Sequence, residues 1–148
     1  MTGIQDTDPY RHTGYLIRRA QQRHLATWMR EVSTETTSVQ YAILAVLRRL
    51  GHASQRVLCD EVDLDRSTIA DLMTRMERRG MIARTRDPDD RRRNTVVLTP
   101  EGREEYRRLQ PLVDAADVKL TSRLDPDELS ALRSALYHLL NGKTPDSA

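Results

Sequence analysis

Residues 64–80, LDRSTIADLMTRMERRG, run directly into MIARTRDPDDRRRNTVVLTP, and this stretch restricts the fold more than any other part of the chain. Ile69, Leu72, Met73 and Met76 recur at helical spacing and form one apolar face, with Arg66, Arg75 and Arg78 between them. Asp65 stands where its carboxylate can accept from the free amides at 67 and 68. Leu64 and Ile69 hold the positions of a hydrophobic staple, and Gly80 stops the helix. Two short runs, 81–86 and 95–98, flank the polar tip DPDDRRRN and predict a hairpin with a charged loop. The fold must therefore set a capped amphipathic helix directly against a basic hairpin.

The remaining elements are helical. Residues 9 to 31 carry Gly14, Ile17, Gln21, His24, Leu25 and Trp28 on one broad face, too polar for a core helix. After the connector STETTS, residues 39–50 form a short, strongly apolar helix that Gly51 terminates. Ser54 caps a brief helix through Val57, Leu58 and Val62, and VDLD links it tightly to the Asp65-capped helix. Thr99 and Pro100 open a long helix to about residue 122, which Pro111 is expected to kink by removing one hydrogen bond. In the last helix Asp125 caps, Glu128 holds the capping-box position, and Leu129, Leu132, Leu136 and Leu139 form a stripe that needs a partner.

Helix, helix, short helix, helix, hairpin is the order of a winged helix-turn-helix, whose last helix before the hairpin enters the major groove while the hairpin tip reaches backbone or minor groove. Fold class is therefore mainly α with a small β-hairpin wing. A DNA-binding unit is expected at 37–99, dimerisation helices at 9–36 and 100–141, and a mobile tail at 142–148. If the apolar face fixes the 64–80 helix to its domain, then Arg66, Ser67, Thr68, Asp71, Thr74 and Arg75 are left for the groove, joined by Ser54 and Gln55 at the start of the preceding helix. Ser67 and Thr68, nearest the helix N-terminus, are the base-edge candidates. The competing reading of an isolated helix of this kind is a solvated charged face; the short helix before it and the basic hairpin after it favour the groove.

Charge placement agrees. Net charge is only +2, but residues 65–93 hold nine Arg against six Asp and Glu, so the positive field sits in one region. Of 24 basic residues 22 are Arg, the side chain suited to bidentate phosphate and base contacts, although genome base composition gives the same bias. No charged-then-apolar leader and no run near twenty apolar residues is visible, so a cytoplasmic chain without a membrane span is expected. The single Cys59 cannot close an internal disulfide and is expected to pack. As a redox sensor it is disfavoured by neighbouring Asp60 and Glu61, which would raise its pKa. His12, His24, His52 and His138 lack ligand spacing, so no metal is expected. No phosphate-binding glycine loop or nucleophile elbow appears, which argues against an enzyme.

The stretch DLDRSTIADLMTRMERRGMIARTRDPDDRRRNTVVLTPEG, residues 63–102, resembles the signature region of the MarR family, with its RGMI strand entry, DPDDRR wing and LTPEG helix start. The resemblance extends over about residues 9 to 140 and implies a homodimer built from the N- and C-terminal helices, binding a near-palindromic double-stranded operator. It also implies that Asp90 shapes the wing tip and that Arg92, with Arg91 beside it, reaches the minor groove, where a narrow groove concentrates negative potential.

The sensing end is less explicit. In GYLIRRAQQRHLATW, Arg18 and His24 lie on opposite borders of the face that carries Trp28, so a cation, an imidazole and a ring could line a pocket for a small aromatic acid. The stretch is similar to a MarR subgroup that responds to aromatic acids and phenolic compounds, which implies that Arg18 pairs the carboxylate with His24 nearby. Arg18 and His24 bonded to a partner chain is the alternative. At the level of function the expected reading is a regulator, a repressor by the family habit, released from DNA by such an acid. Its rival is an effector-independent architectural DNA binder or a protein-interaction module on the same fold.

Overall fold

A computed structural model describes residues 8–86, 89–90 and 94–141. A short 3-10 turn, Pro9–Arg11, precedes α1, Thr13–Glu31; α2 spans Ser38–Leu50, α3 Gln55–Val62 and α4 Arg66–Arg78. Strands β2, Ile82–Arg86, and β3, Asn94–Leu98, form the hairpin, and α5, Pro100–Leu120, and α6, Pro126–Asn141, complete the chain. This is a mainly helical winged-helix architecture. Wing residues 87, 88 and 91–93 and the tail 142–148 lie outside the described residues, so the tail's expected mobility stands as a sequence expectation.

Thr37 and Gln40 make a reciprocal capping box at α2, within the stretch read from sequence as a connector, and Gly51 ends that helix as expected, at φ 83°, a value costly for a residue with a Cβ. Other caps form where the sequence places them. Thr99 accepts from the Gly102 amide at 3.0 Å to open α5. Asp125 and Glu128 exchange bonds of 2.9 and 3.3 Å at the start of α6.

Two expectations need correction. The first helix does not begin at Pro9: a 3-10 turn occupies 9–11, with the Asp8 side chain accepting from the Tyr10 amide, and α1 starts at Thr13. Helix α5 holds Pro111 within it and ends at Leu120, close to the expected residue 122. The hairpin also gains a third strand, β1, His52–Ser54, which pairs antiparallel with β3 in the order β1-β3-β2. His52 faces Val97 and Ser54 faces Thr95, while Ile82 faces Leu98 and Arg86 faces Asn94 across the wing.

The core sits beneath this sheet. Ile43, Leu44 and Leu47 of α2, Leu58 of α3, Ile69, Met73 and Met76 of α4, and Ile82 and Val96 of the sheet are all essentially sealed from solvent. Truncating such a leucine to alanine typically costs about 2–5 kcal/mol. A second, smaller cluster joins Trp28 and Val32 to Leu109 and Ala116 of α5, with Tyr41 and Val113 against it. Helix α6 differs: none of residues 126–140 is buried. Among the described residues, no helix is long and apolar enough to cross a membrane.

Candidate nucleic-acid interface

Helix α4 is fixed by its apolar face and presents the other. Ile69, Met73 and Met76 are buried, while Arg66, Ser67, Thr68, Asp71, Thr74 and Arg75 are all exposed. Asp65 caps the helix: its Oδ1 accepts from the Thr68 amide at 2.8 Å and from the Ser67 hydroxyl at 2.9 Å. The Thr68 amide bond, reinforced by the Thr68 and Ser67 side chains, holds the Asp65 carboxyl below the usual carboxylate range. Ser67 thus has its proton committed to the cap in this DNA-free geometry. Leu64 is half-buried and packs against the core cluster to which Ile69 belongs.

Helix α3 stands before α4 in helix-turn-helix order, joined through Asp63 at φ 51°. Ser54 caps α3 by accepting from the Val57 amide at 3.2 Å, and Gln55 is half-buried behind it. Gln55 and Thr74 meet on a residue that pattern reading passed over, Arg84 of β2. Its guanidinium lies 3.5 Å from Gln55 Oε1 and 3.3 Å from Thr74 Oγ1. Its Nε is 3.3 Å from Glu77 Oε2, an ion pair without a hydrogen bond. Thr74 meanwhile donates to the Ala70 carbonyl at 3.0 Å. Asp90 is exposed; Arg91 and Arg92 lie outside the described residues.

On α1 the three sensing candidates separate. The rings of His24 and Trp28 meet edge to face with centroids 6.1 Å apart, and both line a cavity of about 50 Å³ against Val113, Ala116 and Leu120 of α5. Arg18 is exposed and does not line it. Pockets that hold small molecules run to roughly 300 Å³ or more, so one protomer in this shape does not enclose an aromatic acid there. A larger open cleft of about 460 Å³ on the same helix is lined by Arg23, Arg30, Lys119 and Arg123, none of them a sequence candidate.

Aromatic contact continues inward from Trp28. Its ring lies 5.7 Å from that of Tyr41, which stacks on Tyr106 at 5.3 Å, and the Arg48 guanidinium sits 5.6 Å over the Tyr106 ring. Burial, then the neighbouring Tyr106, pushes the Tyr41 hydroxyl up to about 12, so it remains a neutral group at any physiological pH. Tyr41 was not legible as a site residue because α2 reads simply as an apolar core helix.

The connector STETTS is also more than a linker. Thr36 is fully buried; its carbonyl accepts from Trp28 Nε1 at 2.8 Å and its hydroxyl donates to Glu105 of α5 at 3.0 Å. Arg79, the C-cap of α4, donates to the same hydroxyl through both terminal nitrogens at 3.1 Å and to the Glu35 carbonyl at 3.1 Å. Burial pushes the Glu105 carboxyl up, but bonds from Arg108 and Thr36 outweigh it and leave the group below its ordinary value. Among the described residues, no group of three or more His, Cys, Asp or Glu is arranged to hold a metal ion.

Known proteins share this fold. The profile of the MarR family matches residues 36–93. The transcriptional regulator HosA of Escherichia coli O111:H- is 30% identical over 125 residues, 84% of this chain and 92% of its own length. Among solved structures, the PcaV transcriptional regulator of Streptomyces coelicolor in complex with its natural ligand superposes with a TM-score of 0.86 at 37% identity, covering 94% of this chain and 96% of that one. Bordetella bronchiseptica BpsR, whose DNA binding is regulated by 6-hydroxynicotinic acid, gives 0.80 at 30% identity over 85% of this chain and 96% of its own.

Proposed function

This chain belongs to the MarR family of DNA-binding transcriptional regulators, and from that premise we propose that it is a cytoplasmic, dimeric, sequence-specific repressor released from its operator by a small aromatic carboxylic acid. The observation that carries the DNA-binding half is the division of α4, with three sealed apolar side chains on one side and six exposed polar ones on the other. Arg66 and Arg75 are exposed and form no ion pair among the described residues, so they meet a phosphate or base edge without first breaking one.

Dimerisation is supported by what the terminal helices leave uncovered. Leu16 and Ile17 on α1 and Leu132, Leu136 and Leu139 on α6 are each more than a third exposed, far more apolar surface than scattered single residues supply. The effector half is supported by the aromatic path from His24 through Trp28 and Tyr41 to Tyr106, which lies between α1 and the winged unit. A second protomer, or opening of the α1–α5 contact, must enlarge the space beside Trp28 and bring a cation to it; Arg18 is the candidate.

Gel-shift titration on a selected duplex, with and without hydroxybenzoates and 6-hydroxynicotinate, tests both halves. A repressor of this kind prefers its site over random DNA by about a thousandfold or more and loses affinity when the right acid is added. An architectural binder shows a small ratio and no acid effect. Arg18→Ala should blunt the acid's effect and spare operator binding; an unaltered response would make Arg18 an interface residue and put the pocket elsewhere.

A further inference from the structure

We propose that Thr36 is the positioning residue through which the indole of Trp28 and the C-terminal end of the recognition helix respond to one another. A threonine hydroxyl has one proton and two lone pairs. In this chain the proton goes to Glu105 and the oxygen accepts from two nitrogens of Arg79, so the hydroxyl has no capacity to spare. The backbone of the same residue is equally committed, its amide to Ser33 Oγ at 2.9 Å and its carbonyl to Trp28 Nε1 at 2.8 Å. One residue therefore ties α1, α5 and the end of α4 together.

Thr36 is sealed from solvent, so a bond lost here is not replaced by water and leaves a buried polar group unpaired. The arrangement consequently has few intermediate states: Trp28 and Arg79 are both seated, or the connector shifts and both bonds are lost. Such discrete behaviour is what converts a small movement of an indole into a changed tilt of α4. The inference rests on the effector reading above for its physiological meaning, but its mechanical content stands on the Thr36 contacts alone. Trp28 is the chain's single tryptophan, so its emission reports on this bond without labelling.

The test uses the full-length wild type, Thr36→Val, Thr36→Ser and Arg79→Gln, a duplex selected on the wild type, and a panel of hydroxybenzoates with 6-hydroxynicotinate. Duplex binding should shift wild-type Trp28 emission. Thr36→Val and Arg79→Gln should bind the duplex within about threefold of wild type yet lose that shift, and Thr36→Ser should retain it. An acid that weakens wild-type duplex binding by about 5- to 150-fold should still quench DNA-free Thr36→Val but alter its duplex affinity by less than about twofold. A full emission shift or a full acid effect in Thr36→Val overturns the proposal, as does a wild type whose emission ignores the duplex. If no acid binds wild type, the effector reading fails while the emission arm still decides the role of Thr36. Should Thr36→Val not fold, Arg79→Gln, altered at an exposed position, carries the same comparisons.

Discussion

Arg84, on the first strand of the wing, donates to Thr74 on α4 at 3.3 Å, so the helix and the hairpin proposed to meet DNA are joined by a side chain of the protein itself. Thr74 has spent its own proton on Ala70, which makes it an anchor for the wing more than a reader of bases. Gln55, also a candidate DNA contact, is held by the same guanidinium.

Arg84→Ala should therefore weaken duplex binding by about tenfold while the fold survives. A partly exposed ion pair contributes about 0–1 kcal/mol and each hydrogen bond about 0.5–1.5 kcal/mol, which places the loss of melting temperature at a few degrees. Arg84→Lys should not restore affinity, because one ammonium cannot span Gln55, Thr74 and Glu77 together. Anisotropy titration and thermal melts on the same samples check this, and unchanged affinity in Arg84→Ala would contradict it.

Two glycines should respond in opposite directions to alanine. A Cβ at Gly102 would run into the Met81 carbonyl oxygen, a backbone atom that cannot step aside, whereas nothing lies within 4 Å of a Cβ at Gly14. Gly102→Ala should cost about 1–3 kcal/mol, and Gly14→Ala, within α1, should stabilise by about 0.5–1 kcal/mol. Differential scanning calorimetry reads both; equal effects would mean that α5 does not approach Met81 this closely.

What was legible in the sequence follows from how local its cause is. Caps at Ser54, Asp65, Thr99 and Asp125 depend on bonds to residues three positions away, so pattern reading finds them. Strand β1 is three residues between a helix stop and a helix cap, too short for alternation to show, and exists because β3 offers it a partner 43 residues later, at Val96 opposite Ala53. Arg84, Thr36 and Arg79 were missed for the same reason. The bonds from Arg84 to Thr74, Arg79 to Thr36 and Thr36 to Glu105 span 10, 43 and 69 residues, and no spacing rule connects a polar linker to the end of a helix. His24 and Trp28, four apart on α1, were placed together from periodicity; Arg18 on the same helix is not beside them.

Acid should loosen the recognition helix and the start of α6 before it threatens the core. The Asp65 and Asp125 carboxyls are both held below their ordinary value of 3.8, chiefly by backbone amides at Thr68 and Glu128. Groups with depressed folded values contribute stability that is fully present above the unfolded value and fades as pH falls through the folded one. Cap loss is therefore expected only below about pH 4. Asp65→Asn, which still accepts a hydrogen bond, should remove that acid sensitivity from α4 while leaving the neutral-pH fold intact. Amide exchange at Thr68 across pH 2–6 reads it; identical profiles in the two proteins would exclude the cap as the cause.

Wing and recognition helix should fail differently on DNA. Arg92, read from sequence as the minor-groove arginine, should on replacement by alanine weaken binding to all duplexes and lower the salt slope by about one ion per protomer. Changes at Ser67 or Thr68 should instead alter which bases are preferred, since those positions lie at the N-terminal end of α4. Binding-site selection at two salt concentrations separates the outcomes, and an equal loss of base preference from both changes would contradict the division.

The last expectation concerns assembly. Leu136 and Leu139 project from a helix in which none of residues 126–140 is buried, and their exposure is 39% and 63%. An isolated sixteen-residue helix is marginal in water, so a partner must supply the packing that keeps α6 formed. The expected partner is a second copy, which would use the equally uncovered Leu16 and Ile17 of α1 and set two recognition helices on half-sites about 10 bp apart. Leu136→Asp combined with Leu139→Asp should then yield a monomer with reduced helix content. Duplex affinity should fall by about 10²–10⁴, because the second winged unit no longer binds as a tethered neighbour. Light scattering, circular dichroism and anisotropy on one preparation measure all three, and a wild type that is monomeric at micromolar concentration would remove the basis for the prediction.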